Sequence, residues 1–409
     1  MRILILTCRP PWRARRGDQA RALGLAKCWA GRHRVHVVSQ AWPGFETGGD
    51  EGELDALTGE SVSIGRSALV RALSRGAVAT TRRAAPPLQV ALHDQPRFRA
   101  AVRRAVERFQ PEVALVVLSR LGGVLDLLEG IPTVVDLVDS LALNMQRRAA
   151  FDPVRAPLWR WEARRLAAWD VRVASAAAAV TVVAERDRRA LLSAAAAPRV
   201  LAPSVHVMPF GLDLSADRTG SGPLDAEVPR PEQMALTGNL GYFPTVDGAL
   251  WLAREVWPRL KRLRPELRWV LAGARPARAL RRLAAGDPRI DLIADPPSLE
   301  AVLARTDVAL APLRAGSGTP IKILEAMAAR RPVVATAAAA DGLDGLPDGA
   351  LALGGDSATF ADQCAALLSD RVRADRQAAA AAGWLRSRHA LETVAADFEQ
   401  LLEDTVRSR

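Results

Sequence analysis

The chain has 409 residues, of which 49% are hydrophobic and 25% charged, an ordinary composition for a globular protein with two or three domains. The formal net charge of +11 favours anionic partners such as nucleic acid, anionic lipid or phosphorylated small molecules, and does not choose among them. The longest nearly apolar window, at 173–184, falls short of the about 20 residues that a membrane-spanning helix needs, so no such helix is expected. Cys8, Cys28 and Cys364 are odd in number, far apart and without zinc spacing, which predicts a reducing, cytoplasmic compartment.

Short β-branched runs alternate with longer amphipathic segments along the first half of the chain, a pattern typical of βαβ units on a parallel sheet. The first run, at the N-terminus, is too short for a signal peptide and is predicted to be the first strand. Strands are predicted at residues 2–7, 34–40, 112–119, 132–138, 178–184 and 205–210.

Residues 213–232 are rich in Gly, Pro, Ser and Asp, and this composition predicts a linker between two domains. The alternation then restarts, with strands predicted at 234–239, 268–273, 289–295, 308–313 and 332–337. Two doubly wound, Rossmann-like α/β domains are the simplest architecture, one over 1–212 and one over 233–383. The tail, 384–409, is predicted to be a helix with one apolar face.

The stretch VALAPLRAGSGTPIKILEAMAARRPVVAT, residues 308–336, places a loop of small residues between a strand and an apolar helix. Thr319 is predicted as the N-cap and Pro320 as the first helical residue. Gly316 and Gly318 allow close approach to the backbone NH groups, and the helix N-terminus adds partial positive charge. The loop is therefore predicted to bind phosphate.

Lys322 and Glu325 lie three residues apart on one face of this helix. They could form a surface ion pair, but a lysine in the first turn opposes the helix macrodipole, and lysine before glutamate is the less favourable order. An anion bound at the N-terminus removes the first objection, and Glu325 can then accept hydrogen bonds from ribose hydroxyls. The pattern therefore favours a nucleotide-sugar site over an ion pair.

Two other phosphate motifs fit this segment less well. The P-loop pattern GxxxxGK[ST] fails because isoleucine stands on both sides of Lys322. A dinucleotide GxGxxG would place Ile321 at its third glycine, so that match is weak.

Residues GSGTPIKILEAMAARRPVVATAAAADGL resemble the donor-site segment of the GT-B fold glycosyltransferases of family 4, group 1. Segments 210–213, 236–260, 269–276 and 303–313 occur in the order typical of the same family. The chain is also similar to the subgroup of sugar transferases associated with exopolysaccharide or PEP-CTERM loci. The resemblance covers most of the chain and is more specific in the second domain than in the first.

This resemblance implies two Rossmann-like domains facing each other across a cleft, with the C-terminal helix returning to the first domain. It implies a retaining transferase that moves a sugar from a UDP-, GDP- or ADP-sugar, held by the second domain, to a glycan or lipid-linked glycan held by the first. No metal or other cofactor is expected. Such an enzyme would act in exopolysaccharide or cell-surface polysaccharide synthesis, in the cytoplasm or at the inner face of the cytoplasmic membrane.

The donor-site residues that the resemblance implies lie in the second domain. Glu325 would hold the donor ribose, while Lys322 and the loop backbone would neutralise the diphosphate, and these two side chains are the implied catalytic pair. Two others, Gly238 and Asn239, would line the phosphate side of the cleft. The implied donor set is Gly238, Asn239, Gly273, Asp295, Gly316, Ser317, Gly318, Thr319, Pro320 and Ile321.

Two positions depart from the family pattern. Its E-x7-E motif would place the first glutamate at Ser317, and Phe210 replaces the usual asparagine of the N-G-[VI]-D turn. These departures leave open a non-catalytic donor-binding subunit, and the shared fold leaves open a UDP-sugar epimerase. Nucleic-acid binding is not expected, because no reader motif accompanies the basic charge.

The implied acceptor-binding residues of the first domain are Gly17, Asp18, Arg21, Asp136 and Asp139. The first three match a G-D-x-x-R pattern of the subgroup, and the other two match its D-x-V-D pattern at the end of a strand. Helix capping is the alternative for Asp18, and for Asp139 or its neighbour Ser140. Of the histidines, only His93 is placed near an acceptor.

Arginines are frequent between residues 66 and 108, and a second stretch, 147–169, interleaves arginine with Trp159, Trp161 and Trp169. Arginine with tryptophan on a helix suits an interfacial membrane helix, which would help an enzyme with a lipid-linked acceptor. The alternative, favoured for the second stretch, is a partly buried helix whose tryptophans pack on the sheet. Peripheral contact with an anionic membrane is therefore one hypothesis for this domain.

Overall fold

The computed structural model describes residues 1–12, 16–42, 57–65, 86–215 and 230–408. The chain forms two compact units. Unit 1 comprises Met1–Gly211 and Leu391–Arg409, and unit 2 comprises Leu212–Ala390. The chain thus passes from the first unit into the second and returns to the first for its last helix.

Unit 1 is built on a parallel sheet with the strand order β3-β2-β1-β4-β5-β6-β7 in the described part of the chain. The strands are β1 (Arg2–Thr7), β2 (Arg34–Ala41), β3 (Leu57–Ser63), β4 (Val113–Val117), β5 (Thr133–Val138), β6 (Ala179–Val182) and β7 (Val205–Val207). The sequence does not predict β3, because its residues LTGESVS form a largely half-buried edge strand without an apolar run. The other six strands correspond to predicted ones.

Helices connect these strands and bury apolar faces against them. They are α1 (Gly17–Ala30), α2 (Leu88–His93), α3 (Pro96–Phe109), α4 (Leu141–Ala149), α5 (Ala156–Ala176), α6 (Glu185–Ala194) and α7 (Pro198–Leu201), with 3₁₀ segments at Ser119–Leu128 and Ala202–Ser204. Helix α3 shows the principle: Pro96 starts it, and the buried Phe98, Ala101, Val102 and Ala105 recur at helical spacing. Together these faces form a core around the buried residues Ile3–Leu6 of β1 and the fully buried strand β4.

Unit 2 is built on a second parallel sheet, whose described strands run in the order β10-β9-β8-β11-β12-β13. The strands are β8 (Gln233–Asn239), β9 (Arg268–Ala274), β10 (Ile290–Ala294), β11 (Val308–Ala311), β12 (Val333–Ala335) and β13 (Ala352–Leu353). The first five correspond to predicted strands. The sequence does not predict β13 because two residues are too short to show a pattern.

The helices of unit 2 are α8 (Phe243–Trp251), α9 (Trp257–Leu263), α10 (Arg278–Gly286), α11 (Glu300–Ala304), α12 (Ile321–Ala328), α13 (Ala337–Ala340), α14 (Ser357–Ser369) and α15 (Arg371–His389). A π-helical turn, Leu252–Val256, joins α8 to α9. Aromatic pairs hold the core, with Trp251 edge-on to Phe360 at 5.5 Å between ring centroids.

The C-terminal segment differs from the single helix predicted over 384–409. Helix α15 continues to His389, and α16 (Leu391–Arg407) begins after Ala390, whose backbone is extended with φ −63° and ψ 129°. Trp384 packs on His389 within unit 2, with ring centroids 4.6 Å apart, whereas Phe398 of α16 is fully buried in the core of unit 1. The predicted fold class is confirmed: two doubly wound parallel sheets, with the last helix in the first unit.

Each sheet has one point at which its strand order reverses. The reversal lies between β1 and β4 in unit 1, and between β8 and β11 in unit 2. In doubly wound sheets, ligands bind in the crevice outside the carboxyl ends of the strands at such a point. These two strand edges therefore locate the candidate sites.

Candidate functional site

Lys322 lies at the switch point of unit 2. It is the second residue of α12, and its Nζ donates a hydrogen bond of 3.1 Å to Oγ1 of Thr245 on α8. Helix α8 follows β8 and helix α12 follows β11, so the bond joins the two helices that start on either side of the switch point. Thr245 is 1% exposed, which fixes the position of its hydroxyl.

Glycines at the ends of β8 and β9 shape the space beside this lysine. Gly238 has φ +110°, and a Cβ on it would lie 3.6 Å from Cε of Lys322. Gly273, its partner in register, has φ +149°, and a Cβ there would lie 1.7 Å from the Gly238 carbonyl oxygen. Because Gly238 has no side chain, the space beside the Lys322 ammonium stays open. Because Gly273 has none, the backbones of β8 and β9 can approach each other closely at this point.

The loop before α12 contains two glycines in left-handed or mirror-image conformations, Gly316 with φ +121° and Gly318 with φ +68°. The helix begins at Ile321, with Pro320 at the N-cap position and no side-chain cap. The NH groups of the first turn carry partial positive charge and lack a capping side chain next to Lys322. That combination favours a bound anion.

The predicted N-cap, Thr319, is wrong. Its Oγ1 donates instead to the carbonyl oxygen of Gly342, at 3.2 Å. The loop turns this hydroxyl toward the segment after α13, so Thr319 stabilises the loop rather than the helix start. Ser317, where the family pattern would have a carboxylate, is a half-buried residue of the same loop.

Burial brings the two charged groups of α12 close to their titration points at neutral pH. It lowers the pKa of Lys322 to about 8, against the opposing attraction of the Glu325 carboxylate. It raises the pKa of Glu325 to about 7, against the attraction of Lys322. The ammonium donates to Thr245 rather than to Glu325, so the surface ion pair considered from the sequence is not formed. A diphosphate here would raise the pKa of Lys322 and so stabilise its charged form.

Asn239 and Asp295 shape loops around the site. Oδ1 of Asn239 accepts a 3.0 Å hydrogen bond from the backbone NH of Gly241, at the turn that leads into α8. Oδ1 of Asp295 accepts one of 3.0 Å from the NH of Arg275. Asp295 follows the edge strand β10, three positions from β11 in the sheet, so the structure does not bring it to Lys322.

Further residues that the sequence does not single out tie α8 to the loop after β11. Asp247 and Arg314 form a bidentate ion pair, with Oδ1 to Nη2 at 2.8 Å and Oδ2 to Nε at 2.9 Å. Tyr242 is 41% exposed, and its hydroxyl oxygen lies 4.0 Å from where a Cβ on Gly316 would stand. Asp247 is the one charged residue of α8, FPTVDGALW, but its partner Arg314 lies 67 residues later in the chain, so the sequence does not show the pair.

In unit 1, Arg21 and Asp136 form a buried ion pair. Nε of Arg21 donates to Oδ2 of Asp136 at 2.6 Å, and the two side chains are 1% and 0% exposed. Arg21 also donates to the carbonyl oxygens of Met208 and Pro209, at 2.8 and 2.6 Å, and Asp136 accepts from Oγ1 of Thr181 at 2.8 Å. The sequence suggests acceptor contacts for both residues. Their burial instead favours a role in joining α1 to β5, β6 and the segment after β7.

The other predicted acceptor residues near α1 lie at its first turn. Gly17 is the first helical residue, and the N-cap position belongs to Arg16 without a side-chain hydrogen bond. The capping alternative for Asp18 is therefore wrong. Oδ2 of Asp18 accepts instead from Nη1 of Arg9, at 2.5 Å, which ties the helix to the loop after β1.

Asp139 follows Val138, a non-glycine residue with φ +63° at the end of β5. Asp139 is half-buried, and its neighbour Ser140 is the residue that caps α4, with Oγ accepting from the NH of Leu143 at 3.2 Å. Capping therefore belongs to Ser140, and the carboxylate of Asp139 stands next to the carboxyl end of β5.

The tryptophans of α5 are half-buried and stacked by arginines. Arg148 lies over Trp159 at 4.1 Å and Arg165 over Trp161 at 4.4 Å from the ring centroids. Nε1 of Trp169 donates to the carbonyl oxygen of Ser119 at 2.8 Å, as expected for a helix packed on its own unit. The arginines at positions 66, 71, 75, 82 and 83 of the first arginine-rich stretch lie outside the described residues.

The described ranges contain neither a candidate membrane span nor a candidate metal cluster. None of the helices found there is both long and apolar enough to cross a membrane. No group of three or more His, Cys, Asp or Glu side chains in the described part of the chain is arranged to hold a metal ion.

The second unit matches a known family. Residues 232–370 fit the family model described as glycosyl transferases group 1. Solved structures cover both units: sucrose-phosphate synthase from Thermosynechococcus elongatus is 15% identical over 100% of both chains, with a TM-score of 0.73. Alr3699/HepE from Anabaena, in complex with UDP, is 16% identical over 99% of this chain and 100% of that one, with a TM-score of 0.67. No curated protein matches the chain in sequence.

A third similar structure, described as trehalose-6-phosphate from E. coli bound with UDP-2-fluoro glucose, is 15% identical, with 98% and 99% coverage and a TM-score of 0.66. The two parallel sheets and the similarity to these solved structures together define the GT-B fold. Residues 232–370 form a group 1 glycosyltransferase domain, and the enzyme class expected from the sequence, glycosyltransferase, is confirmed. The PEP-CTERM association stays a prediction.

Proposed function

We propose that the chain transfers a sugar from a nucleoside diphosphate sugar to a glycan or lipid-linked acceptor, with retention of anomeric configuration. The observation that carries this proposal is the bond from Lys322 to Thr245, which holds an ammonium at the β8/β11 switch point beside the uncapped start of α12. We place the reaction in exopolysaccharide or cell-surface polysaccharide synthesis, in the cytoplasm or at the inner face of its membrane.

The donor diphosphate is the group that this site suits best. When the bond between the anomeric carbon and the diphosphate breaks, negative charge develops on the leaving oxygen, and Lys322 and the first-turn NH groups of α12 stabilise it. The acceptor oxygen takes the vacated position on the same face of the sugar, and its proton leaves with the diphosphate. Because residue 317 is serine, the proposal assigns no carboxylate to the sugar itself. It includes no metal or other cofactor.

The proposal assigns the remaining donor contacts to residues near Lys322. Glu325 lies one turn after Lys322, and its carboxylate accepts hydrogen bonds from the ribose hydroxyls. The glycine pair Gly238 and Gly273 leaves room for the phosphates. UDP is the first nucleotide to test, since the Anabaena structure contains UDP and the E. coli structure contains UDP-2-fluoro glucose.

A peripheral membrane contact belongs to the same proposal. At the start of α5, Val154 is 89% and Leu158 44% exposed, next to the exposed Arg155 and Arg160. Apolar side chains flanked by arginine suit the interface of an anionic bilayer. Flotation with vesicles of anionic lipid at low salt tests it: the wild type should float and the variant Val154→Asp/Leu158→Asp should float less. Wild-type protein left in the bottom fraction would contradict the contact.

A thermal-shift screen against UDP-, GDP- and ADP-sugars tests donor binding directly. We expect at least one of them to raise the Tm of the wild type. Lys322→Ala and Glu325→Ala should remove that shift and the sugar transfer, whereas the exposed-residue controls Lys27→Ala and Glu300→Ala should keep both. If no nucleotide sugar shifts the Tm, the proposal fails. Donor binding without hydrolysis or transfer would identify a non-catalytic binding subunit.

A further inference from the structure

The loop after β11 runs back along helix α8. A Cβ on Gly248 would lie 2.3 Å from the carbonyl oxygen of Pro312, so the helix packs directly on the start of the loop. Farther along, a Cβ on Gly316 would lie 3.8 Å from Cγ of Pro244, in the first turn of α8. As the loop advances toward α12 it therefore approaches the N-terminus of α8, the end that carries the partner of Lys322.

Arg314 holds this loop to α8 at two points. Its Nε and Nη2 donate to the carboxylate of Asp247 at 2.9 and 2.8 Å, and its guanidinium lies over the Trp251 ring, 5.9 Å from the centroid. Asp247 and Trp251 stand one helical turn apart, so both face the same side of α8. The side chains of Arg314 and Asp247 are 31% and 15% exposed, so water screens their attraction less than that of an exposed pair.

The loop has little rigidity of its own between its ends. Gly316 and Gly318 both have positive φ, and glycine loses more conformational entropy than other residues when it is ordered. At one end of the loop, Oγ1 of Thr336 donates to the carbonyl oxygen of Leu313, and at the other end Thr319 bonds to the segment after α13. Neither of these hydrogen bonds reaches α8, so the ion pair supplies a link to that helix that they do not.

We infer that Asp247 and Arg314 are positioning residues for the donor. Helix α8 carries the partner of Lys322, Thr245, and two residues later the partner of the loop, so the ammonium and the loop NH groups keep a fixed spacing before a ligand arrives. Groups that are already held in place lose less entropy when a diphosphate binds between them. The inference rests on the proposed function, because it concerns the same donor site, and it assigns neither residue a contact with the donor.

The sign of the effect separates positioning from plain electrostatics. The Asp247 carboxylate is a negative charge close to a site for an anion, so its removal alone would strengthen donor binding. Asp247→Asn should instead weaken binding, because an amide has one acceptor oxygen and no charge with which to hold Arg314. Arg314→Lys keeps the positive charge but loses the planar fork, and it should weaken binding as well.

Calorimetric titration of the full chain with UDP-, GDP- and ADP-glucose measures the donor Kd. Asp247→Asn and Arg314→Lys should each raise it at least about tenfold, and the double variant should raise it little further, because the two side chains act together. The matched control is Asp307→Asn at the other end of β11, where Asp307 forms a bidentate pair with Arg230 at 2.8 and 3.0 Å. This control should bind the donor as the wild type does, whatever its Tm.

Hydrogen exchange of the free protein gives a second readout that needs no donor. The NH groups of residues 315–319 should exchange faster in Asp247→Asn than in the wild type, and Asp307→Asn should leave them unchanged. Equal exchange in all three proteins would overturn the inference.

The binding results separate the inference from the proposed function. If the wild type binds a nucleotide sugar and Asp247→Asn binds it equally or more tightly, the inference is overturned while the proposed function stands. If Arg314→Lys weakens binding and Asp247→Asn does not, Arg314 contacts the donor itself and positioning is overturned. If the wild type binds none of the three nucleotide sugars, the inference and the proposed function both fail.

Discussion

Nζ of Lys322 donates a 3.1 Å hydrogen bond to the buried hydroxyl of Thr245, 77 residues earlier in the chain. This bond fixes a flexible side chain at the one place in unit 2 where the strand order reverses. A lysine carries about 2 kcal/mol of rotamer entropy, so holding it in place before the donor arrives lowers the entropy lost on binding.

Removing the Thr245 hydroxyl should therefore loosen Lys322. A hydrogen bond to a charged group contributes about 1.5–3 kcal/mol, so we expect Thr245→Val to lower kcat/KM by roughly 10- to 100-fold. Thr245→Ser keeps the hydroxyl and should stay within a few-fold of the wild type. Steady-state kinetics of sugar transfer measure both variants. Equal rates for Thr245→Val and the wild type would show that the bond does not position the lysine.

Donor binding should weaken as the pH rises through the pKa of Lys322. In the free protein this pKa is lowered to about 8, and only the protonated form attracts a diphosphate. Above that pH, binding must take up a proton, so log Kd should rise with a slope approaching one per pH unit. Calorimetry between pH 7 and pH 9 measures it. Lys322→Arg, whose guanidinium stays charged, should bind with little pH dependence over this range, and the same slope in that variant would assign the titration to another group.

The sequence predicts this site only where a residue breaks a pattern. Lys322 and Glu325 interrupt an apolar helix, and glycines mark the loop before it, so these positions could be found without a structure. Thr245 is a small residue in an apolar segment, and its role depends on a hydrogen bond with Lys322, 77 residues later in the chain, which the sequence does not show. Arg21 and Asp136 match a family pattern in the sequence, but their burial as a pair across 115 residues is visible only in three dimensions.

The fold was predictable for a related reason. Strands with β-branched apolar runs can be predicted from the sequence pattern, whereas the polar edge strand β3 and the two-residue strand β13 cannot. The sequence does not predict the break at Ala390, because alanine is a good helix former and no Gly or Pro separates the two helices. What divides α15 from α16 is the unit each packs on, and that depends on tertiary contacts.

Gly273 should tolerate no side chain. A Cβ there would lie 1.7 Å from the carbonyl oxygen of Gly238 in the neighbouring strand, and its φ of +149° is unfavourable for alanine. We expect Gly273→Ala to lower the free energy of unfolding of unit 2 by several kcal/mol, because strain and overpacking each contribute about 1–3 kcal/mol. The control is Gly286→Ala, which meets nothing within 4 Å. Scanning calorimetry compares them, and equal Tm values would contradict the close approach of β8 and β9.

The Arg21 and Asp136 pair should matter more for stability than for any direct contact with substrate. Removing one partner leaves the other charged and buried, which costs about 3–5 kcal/mol, so Arg21→Met and Asp136→Asn should each destabilise unit 1 by that order. The exposed pair of Arg2 with Glu112 is the control, since its side chains are 41% and 43% exposed and Arg2→Ala should cost at most about 1 kcal/mol. Denaturant unfolding measures these changes. If Asp136→Asn unfolds like the wild type and loses acceptor binding alone, the carboxylate contacts the acceptor after all, and the pair must open when it binds.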